Sequence, residues 1–238
     1  MKFSHLLGAF LSLVPCLAAA DEAATEATKP LVKKLTDGNY QLGKITFNKD
    51  TRHITIPART NIVASDTFIE YLLVHLNGEK THESLLTTEA DPTHLNIALK
   101  LLSYQESQEL FRALNEDGSL SDKYMVVSDA VKKAARFEIF VTWKDKGGEK
   151  SRPITHWLHN TGNQQKMPAT PWVYNGSYVH RNKFKAKLTG SMITILPDPG
   201  AIANYPGKNR ADDTLWVPAP NLPTERSEVT VTLKPWKK

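Results

Sequence analysis

Cysteine is almost missing from this chain, with Cys16 the only one among 238 residues. That residue lies in the N-terminal stretch MKFSHLLGAFLSLVPCLAAA, which has a basic start at Lys2, an apolar run from Leu6 to Leu17 and small residues Ala18 and Ala20. The pattern predicts a secretory signal peptide over residues 1–20, cleaved after Ala20, and so an exported mature chain, periplasmic or extracellular, without a thiol. Such a chain forms no disulfide, no iron–sulfur cluster on thiolates, no thiolate zinc site and no cysteine nucleophile. No cofactor is expected, and a divalent metal would have to be held by His, Asp or Glu. Lipidation of Cys16 is disfavoured because Pro15 precedes it where a small residue is needed.

Long hydrophobic runs are also lacking. The Leu6–Leu17 run is too short to span ~30 Å of hydrocarbon, which takes about 20 residues, and nothing later comes near that length. No transmembrane segment is expected. The chain carries no G-x-S-x-G elbow, phosphate loop, G-x-G-x-x-G or H-E-x-x-H spacing. The βαβ alternation of a nucleotide-binding sheet is absent, and no dense basic run suggests a specific nucleic-acid partner.

What is present is a charge asymmetry. The formal charge is +5, but residues 144–238 hold 15 lysines and arginines against 7 aspartates and glutamates. Within that basic half, RNKFKAK at 181–187 alternates as an exposed strand would, and Lys183, Lys185 and Lys187 are candidate contacts for an anionic polysaccharide.

The elements predict an α+β class with a mostly antiparallel sheet built from hairpins. Residues 21–38 are polar and Ala/Thr-rich and read as a flexible leader, with a single domain over 39–238. GKITFNKDTRHITIPA gives a hairpin around Asn48–Thr51, ARFEIFVTWKDKGGEKSRPI gives another, and SEVTVTLKPW alternates as a strand. Asn77-Gly78 predicts a two-residue hairpin turn. Asp91 as N-cap, Pro92 in the first turn and Leu95, Ala98, Leu99 and Leu102 at helical spacing predict a helix at about 92–102. A second helix is expected over ESQELFRALN, residues 106–115.

Histidines crowd into residues 70–95. A hairpin closed at Asn77-Gly78 sets His75 opposite Lys80 and Leu73 opposite His82, so His75 and His82 become diagonal neighbours with Cβ atoms roughly 7 Å apart. With His94 in the first turn of the helix, the trio outlines three nitrogen ligands and an open position, as in a metal-dependent hydrolase. Glu83 is the candidate base, although strand alternation turns it away from His82. Each histidine equally suits a surface or capping role, as do His156 and His159 flanking Trp157. Trp172, Tyr174 and Tyr178 suggest either a sugar-stacking platform or a sheet core.

IEYLLVHLNGEKTHESLLTT (69–88), HLNIALKLL (94–102), PWVYNGSYV (171–179) and DTLWVPAPNLPTERSEVTVTLKP (213–235), taken together, resemble the YdjY-domain family of exported bacterial proteins. The resemblance implies an extracytoplasmic domain and transfers no catalytic residue. It places His82, Glu83, Ser84, Gly176 and Ser177 in the family's most distinctive segments, which makes Ser84, Gly176 and Ser177 candidate binding residues. The ferredoxin-like description given to some members requires cysteines that this mature chain lacks. The expected function is non-catalytic binding of a protein or cell-envelope ligand, with the metal hydrolase and the polysaccharide binder as alternatives.

Overall fold

The structure is a computed structural model and describes residues 32–237. The expected signal peptide, Cys16 and the leader up to residue 31 lie outside the described residues. Val32–Lys34, at the end of the span expected to be a flexible leader, is a strand that pairs with Asn39–Leu42.

Twelve strands form one sheet, and eight of them close on themselves. The circuit runs Ile54–Thr60, Glu228–Pro235, Arg136–Asp145, Trp172–Tyr174, Ala203–Asn204, Ser191–Thr194, Tyr71–His75 and Ser84–Thr88, which returns to Ile54–Thr60. Val32–Lys34, Asn39–Leu42 and Ile45–Asn48 extend outward from the circuit, and Gly148–Pro153 borders Arg136–Asp145. The architecture is therefore mostly β, 14% helical, which corrects the expected hairpin-built α+β class. Alternation reads the same in an open sheet and a barrel, and only the long-range pairing of Ser84–Thr88 with Ile54–Thr60 distinguishes them.

That closure depends on a fork. Ile54 and Thr55 pair with Phe47 and Thr46, while Arg59 and Thr60 of the same strand pair with Thr87 and Leu86. Pro57, which has no N–H to give a ladder, sits between the two halves. Thr88 fills the gap: its hydroxyl donates to the Pro57 carbonyl at 2.6 Å and accepts from the Ala90 N–H at 3.0 Å. Ile54, Ile56, Ala58 and Thr60 face the core by strict alternation.

Asn77-Gly78 closes no hairpin. Tyr71–His75 and Ser84–Thr88 run parallel, with Tyr71 beside Ser84 and Leu73 beside Leu86, and residues 76–83 cross between them through a 3-10 turn at Thr81–Glu83. Leu72, Leu73, Val74, Leu85 and Leu86 are all fully buried, so both strands show the unbroken apolar runs of parallel pairing. Gly78 presses against the Thr189 carbonyl and the Gly190 Cα, leaving no room for a side chain.

Helix α1, Pro92–Leu101, begins with the Asp91 side chain accepting from the Thr93 N–H at 2.8 Å and buries Leu95, Ala98 and Leu99. Helix α2, Asp129–Ala134, is capped by Ser128, and helix α3, Lys185–Thr189, ends at Gly190 with φ +77. No helix forms at 106–115. Arg112–Leu114 pairs instead with Leu120–Tyr124 around Asp117-Gly118, and the helical spacing of Leu110, Phe111 and Leu114 has no buried face to satisfy. One continuous core links the barrel interior, α1 and the aromatic series Trp172, Tyr205 and Trp216.

Thr88→Val removes the hydroxyl at the fork and leaves the Pro57 carbonyl unpaired. A loss of about 1–3 kcal/mol is expected in urea unfolding, the usual cost of a buried polar group without its partner. An unchanged midpoint would show that the fork does not depend on this bond.

Candidate functional site

The parallel register decides which side chains meet at one mouth of the barrel. Because Tyr71 lies beside Ser84, the preceding residues Glu70 and Glu83 also lie side by side, and the Glu70 N–H donates to the Glu83 carbonyl at 3.1 Å. On the other flank the Glu70 carbonyl accepts from the Ile195 N–H at 2.8 Å, which clamps the residue between two strands. Their carboxyl groups are near enough that each shifts the other's hold on a proton. Lys80 Nζ lies 2.7 Å and His82 Nε2 2.9 Å from Glu83 Oε1. Lys80 also stands 5.7 Å from the Tyr71 ring centroid. The Tyr71 hydroxyl donates to Asp198 Oδ2 at 3.2 Å.

This arrangement drives the two glutamates apart. Burial, then the hydrogen bond and charge of Glu83, push Glu70 up to about 7, with Asp213 adding and Lys80 opposing. Burial would also raise Glu83, but its hydrogen bonds to Glu70 and Lys80 and the charges of Lys80 and His82 hold it below the usual carboxylate range. The hydrogen bond to Glu83 raises Lys80, and burial followed by the Asp198 charge raises the Tyr71 phenol. The two carboxyls titrate as a pair, in which the proton is favoured on Glu70 and the charge on Glu83 beside the lysine.

A buried polar network holds Asp198 in place. The Asp198 N–H donates to Asn204 Oδ1 at 2.8 Å, Asn204 Nδ2 donates to Asn175 Oδ1 at 2.8 Å, and Asn175 Nδ2 donates to the Ala201 carbonyl at 2.8 Å. Ser177 extends it, donating to the Gly200 carbonyl at 2.6 Å and accepting from the Ala186 N–H at 3.1 Å. Its hydroxyl is thus committed to structure. Gly176 sits at φ +81, a left-handed backbone that a residue with a side chain adopts only under strain.

The other sequence candidates are dispersed. His75 ends a barrel strand, and its Nδ1 accepts from the Asn77 N–H at 3.2 Å. His82 is exposed on the 3-10 turn, and His94 packs over Gly43. The diagonal pairing of His75 and His82 required a hairpin that does not form, and among the described residues no group of three or more His, Cys, Asp or Glu is arranged to hold a metal. Glu83 does meet His82, contrary to strand alternation, because the two share a 3-10 turn. Ser84 is buried, with its hydroxyl on the Leu86 carbonyl at 2.7 Å. Trp172 and Tyr174 are core residues, which removes them from a sugar platform; the Tyr174 hydroxyl donates to Asn96 Oδ1 at 2.6 Å. The expected strand at 181–187 is instead a hairpin followed by α3: Lys183 is exposed in the hairpin, Lys185 opens the helix, and Lys187 pairs with Asp91 at 2.8 Å. Glu70, Tyr71, Lys80 and Asp198 were missed. Their only sequence signal is a carboxylate next to a buried strand, which means nothing until the register is known.

Beside the mouth lies a depression of about 440 Å³ lined by Asn61, Ile62, Val63, Thr81, His82 and Glu225. Asn61 Nδ2 ties its wall together by donating to the Thr81 and Ser84 carbonyls at 2.7 and 2.8 Å. Asn61 also borders an open groove of about 1050 Å³ across the strands, walled by charges of both signs, among them Arg59, Glu89, Arg226 and Glu228, and by Trp143.

The family model of the YdjY domain matches residues 45–234, which takes in the barrel and the mouth, and the chain belongs to that family. Neither a curated protein nor a solved structure matches it.

Glu70 gives the mouth a pH signature. Between its unfolded value, near 4.5, and about 7 the folded chain keeps a proton that the unfolded chain loses, so stability falls as pH rises through that window. Glu83 acts below it, its stabilisation being lost as pH drops through its lowered folded value. E70Q removes the upper window and should exceed the native chain by on the order of 1–3 kcal/mol in urea unfolding at pH 8, with a smaller difference at pH 5. Parallel stability–pH curves for the two proteins would contradict the assignment.

Proposed function

We propose that this YdjY-family domain is an exported binding module whose barrel mouth captures a basic side chain of an extended polypeptide partner. The observation that supports it is the Glu70–Glu83 pair. Two adjacent carboxyls share one lysine, Asp198 and Asp213 add further negative charge, and Glu70 holds a proton near neutral pH for want of a second cation. A guanidinium or ammonium seated beside Glu70 would replace that proton and make charge-assisted hydrogen bonds. The depression at His82 and the groove joined to it at Asn61 offer the rest of an extended segment a continuous surface. Charges of both signs along the groove suit a polypeptide better than a neutral glycan. Export rests on the N-terminal sequence, with its basic start, apolar run and small residues at 18 and 20.

The test uses three fluorescein-labelled decapeptides of Gly, Ser and Thr that carry a single central Arg, Lys or Glu, measured by fluorescence anisotropy against the mature chain. The Arg and Lys peptides should bind and the Glu peptide should not. Binding should tighten from pH 6 to pH 8 as Glu70 gives up its proton, and E70Q should weaken it about tenfold, the worth of one charged hydrogen bond. Equal binding of all three peptides, or binding indifferent to E70Q, would refute the proposal.

A further inference from the structure

Two protrusions carry apolar side chains that the fold leaves in solvent. The first is the arm formed by Arg112–Leu114 and Leu120–Tyr124, where Leu114 and Leu120 stand directly opposite each other in register at 67% and 66% exposure, followed by Val126 at 98%. The second is the finger formed by Val179–His180 and Lys183–Phe184 leading into α3, with Val179 at 67% and Leu188 at 52%. Directly paired, exposed leucines gain nothing from the chain's own core. Together with Val126 they give the arm an apolar face that a second molecule would cover.

The charges around them are complementary. The arm's tip carries Glu116 and Asp117, and the finger carries Arg181, Lys183 and Lys185; among the described residues none of the five belongs to an ion pair. Both protrusions are built on defined turns. The arm's turn is set by Ser119, whose hydroxyl donates to Asp117 Oδ1 at 2.6 Å. The finger's turn is set by Arg181 and Asn182 at φ 48 and 60, and its base by the Lys185 N–H donating to the Tyr178 carbonyl at 2.9 Å. They also spring from neighbouring points: the Ser107 N–H donates to the Tyr174 carbonyl at 2.9 Å, and Gln108 Nε2 to the Asn175 carbonyl at 2.7 Å, between the roots of arm and finger.

We propose that the arm of one copy of this chain docks on the finger of a second copy, and reciprocally, in a two-fold dimer. A two-fold arrangement uses each contact twice, acidic and apolar arm against basic and apolar finger, and so covers all four protrusions at once. An anionic lipid surface would suit the finger alone, leaving the arm's leucines in water and bringing Glu116 and Asp117 towards like charge. This inference is independent of the barrel mouth.

Sedimentation of the mature chain across about 1–100 µM should show a monomer–dimer equilibrium. K183E/K185E in the finger and E116K in the arm, which leave the turn residues Arg181 and Asp117 in place, should each weaken dimerisation at least tenfold, while circular dichroism shows both to be folded. Mixing the two reversed variants should restore a heterodimer, because both of its contacts again join opposite charges. L114S/L120S should also dissociate the dimer. The proposal falls if the native chain stays monomeric throughout, if the reversals leave association unchanged, or if the mixed variants fail to associate. A monomer that instead cosediments with phosphatidylglycerol vesicles through the finger, or that is retained on heparin through Lys183, Lys185 and Lys187, would reassign the finger to lipid or polysaccharide.

Discussion

Two short strands running in the same direction govern this molecule. Tyr71–His75 beside Ser84–Thr88 supplies the pairing through which the circuit returns to Ile54–Thr60. The same register sets Glu70 against Glu83 at the end of the barrel. Closure and site are therefore one constraint, since shifting the pairing by a single residue would misplace the packed side chains on both covered faces and separate the two carboxyls together.

The mouth departs from the rule that buried charges are matched. Glu83 is matched by Lys80, whereas Glu70 has only the proton it shares with Glu83. Behind the mouth, Asn175 and Asn204 are fully buried and bonded to each other and to the loop that carries Asp198. What sets the Glu70–Glu83 pair apart is a carboxyl raised far from its ordinary range beside one that is lowered, a divergence of the kind that clusters at functional sites. The arm and finger make a similar contrast at the surface, where apolar side chains remain exposed while the core is continuous from the barrel to α1.

Local structure was legible where local chemistry decides it. Asn48 organises the turn after Ile45–Asn48 by accepting from the Asp50 and Thr51 N–H groups at 3.0 and 2.9 Å, and Asp91-Pro92 starts α1 where the sequence placed a helix. Alternation in ARFEIFVTW and SEVTVTL placed two neighbouring barrel strands. Legibility failed where distant partners decide. Asn77-Gly78 carries a strong hairpin signal, yet the buried runs on either side prefer a parallel crossover, and that one choice dispersed the histidines and assembled Glu70, Lys80, Glu83 and Asp198 instead. Leu110, Phe111 and Leu114 have helical spacing with no core to receive them. Ser177 was a candidate because it falls in a distinctive segment of the family resemblance, and its hydroxyl serves the loop bonds to Gly200 and Ala186.

The central claim concerns one proton, and carboxyl-carbon NMR of residues 21–238, followed across pH with E70Q as the assignment control, reads it directly. One glutamate should titrate at about 7, should vanish in E70Q, and should move down towards the ordinary carboxylate range when the Arg peptide is bound. A spectrum in which every carboxyl titrates in the ordinary range near 4 would contradict the account.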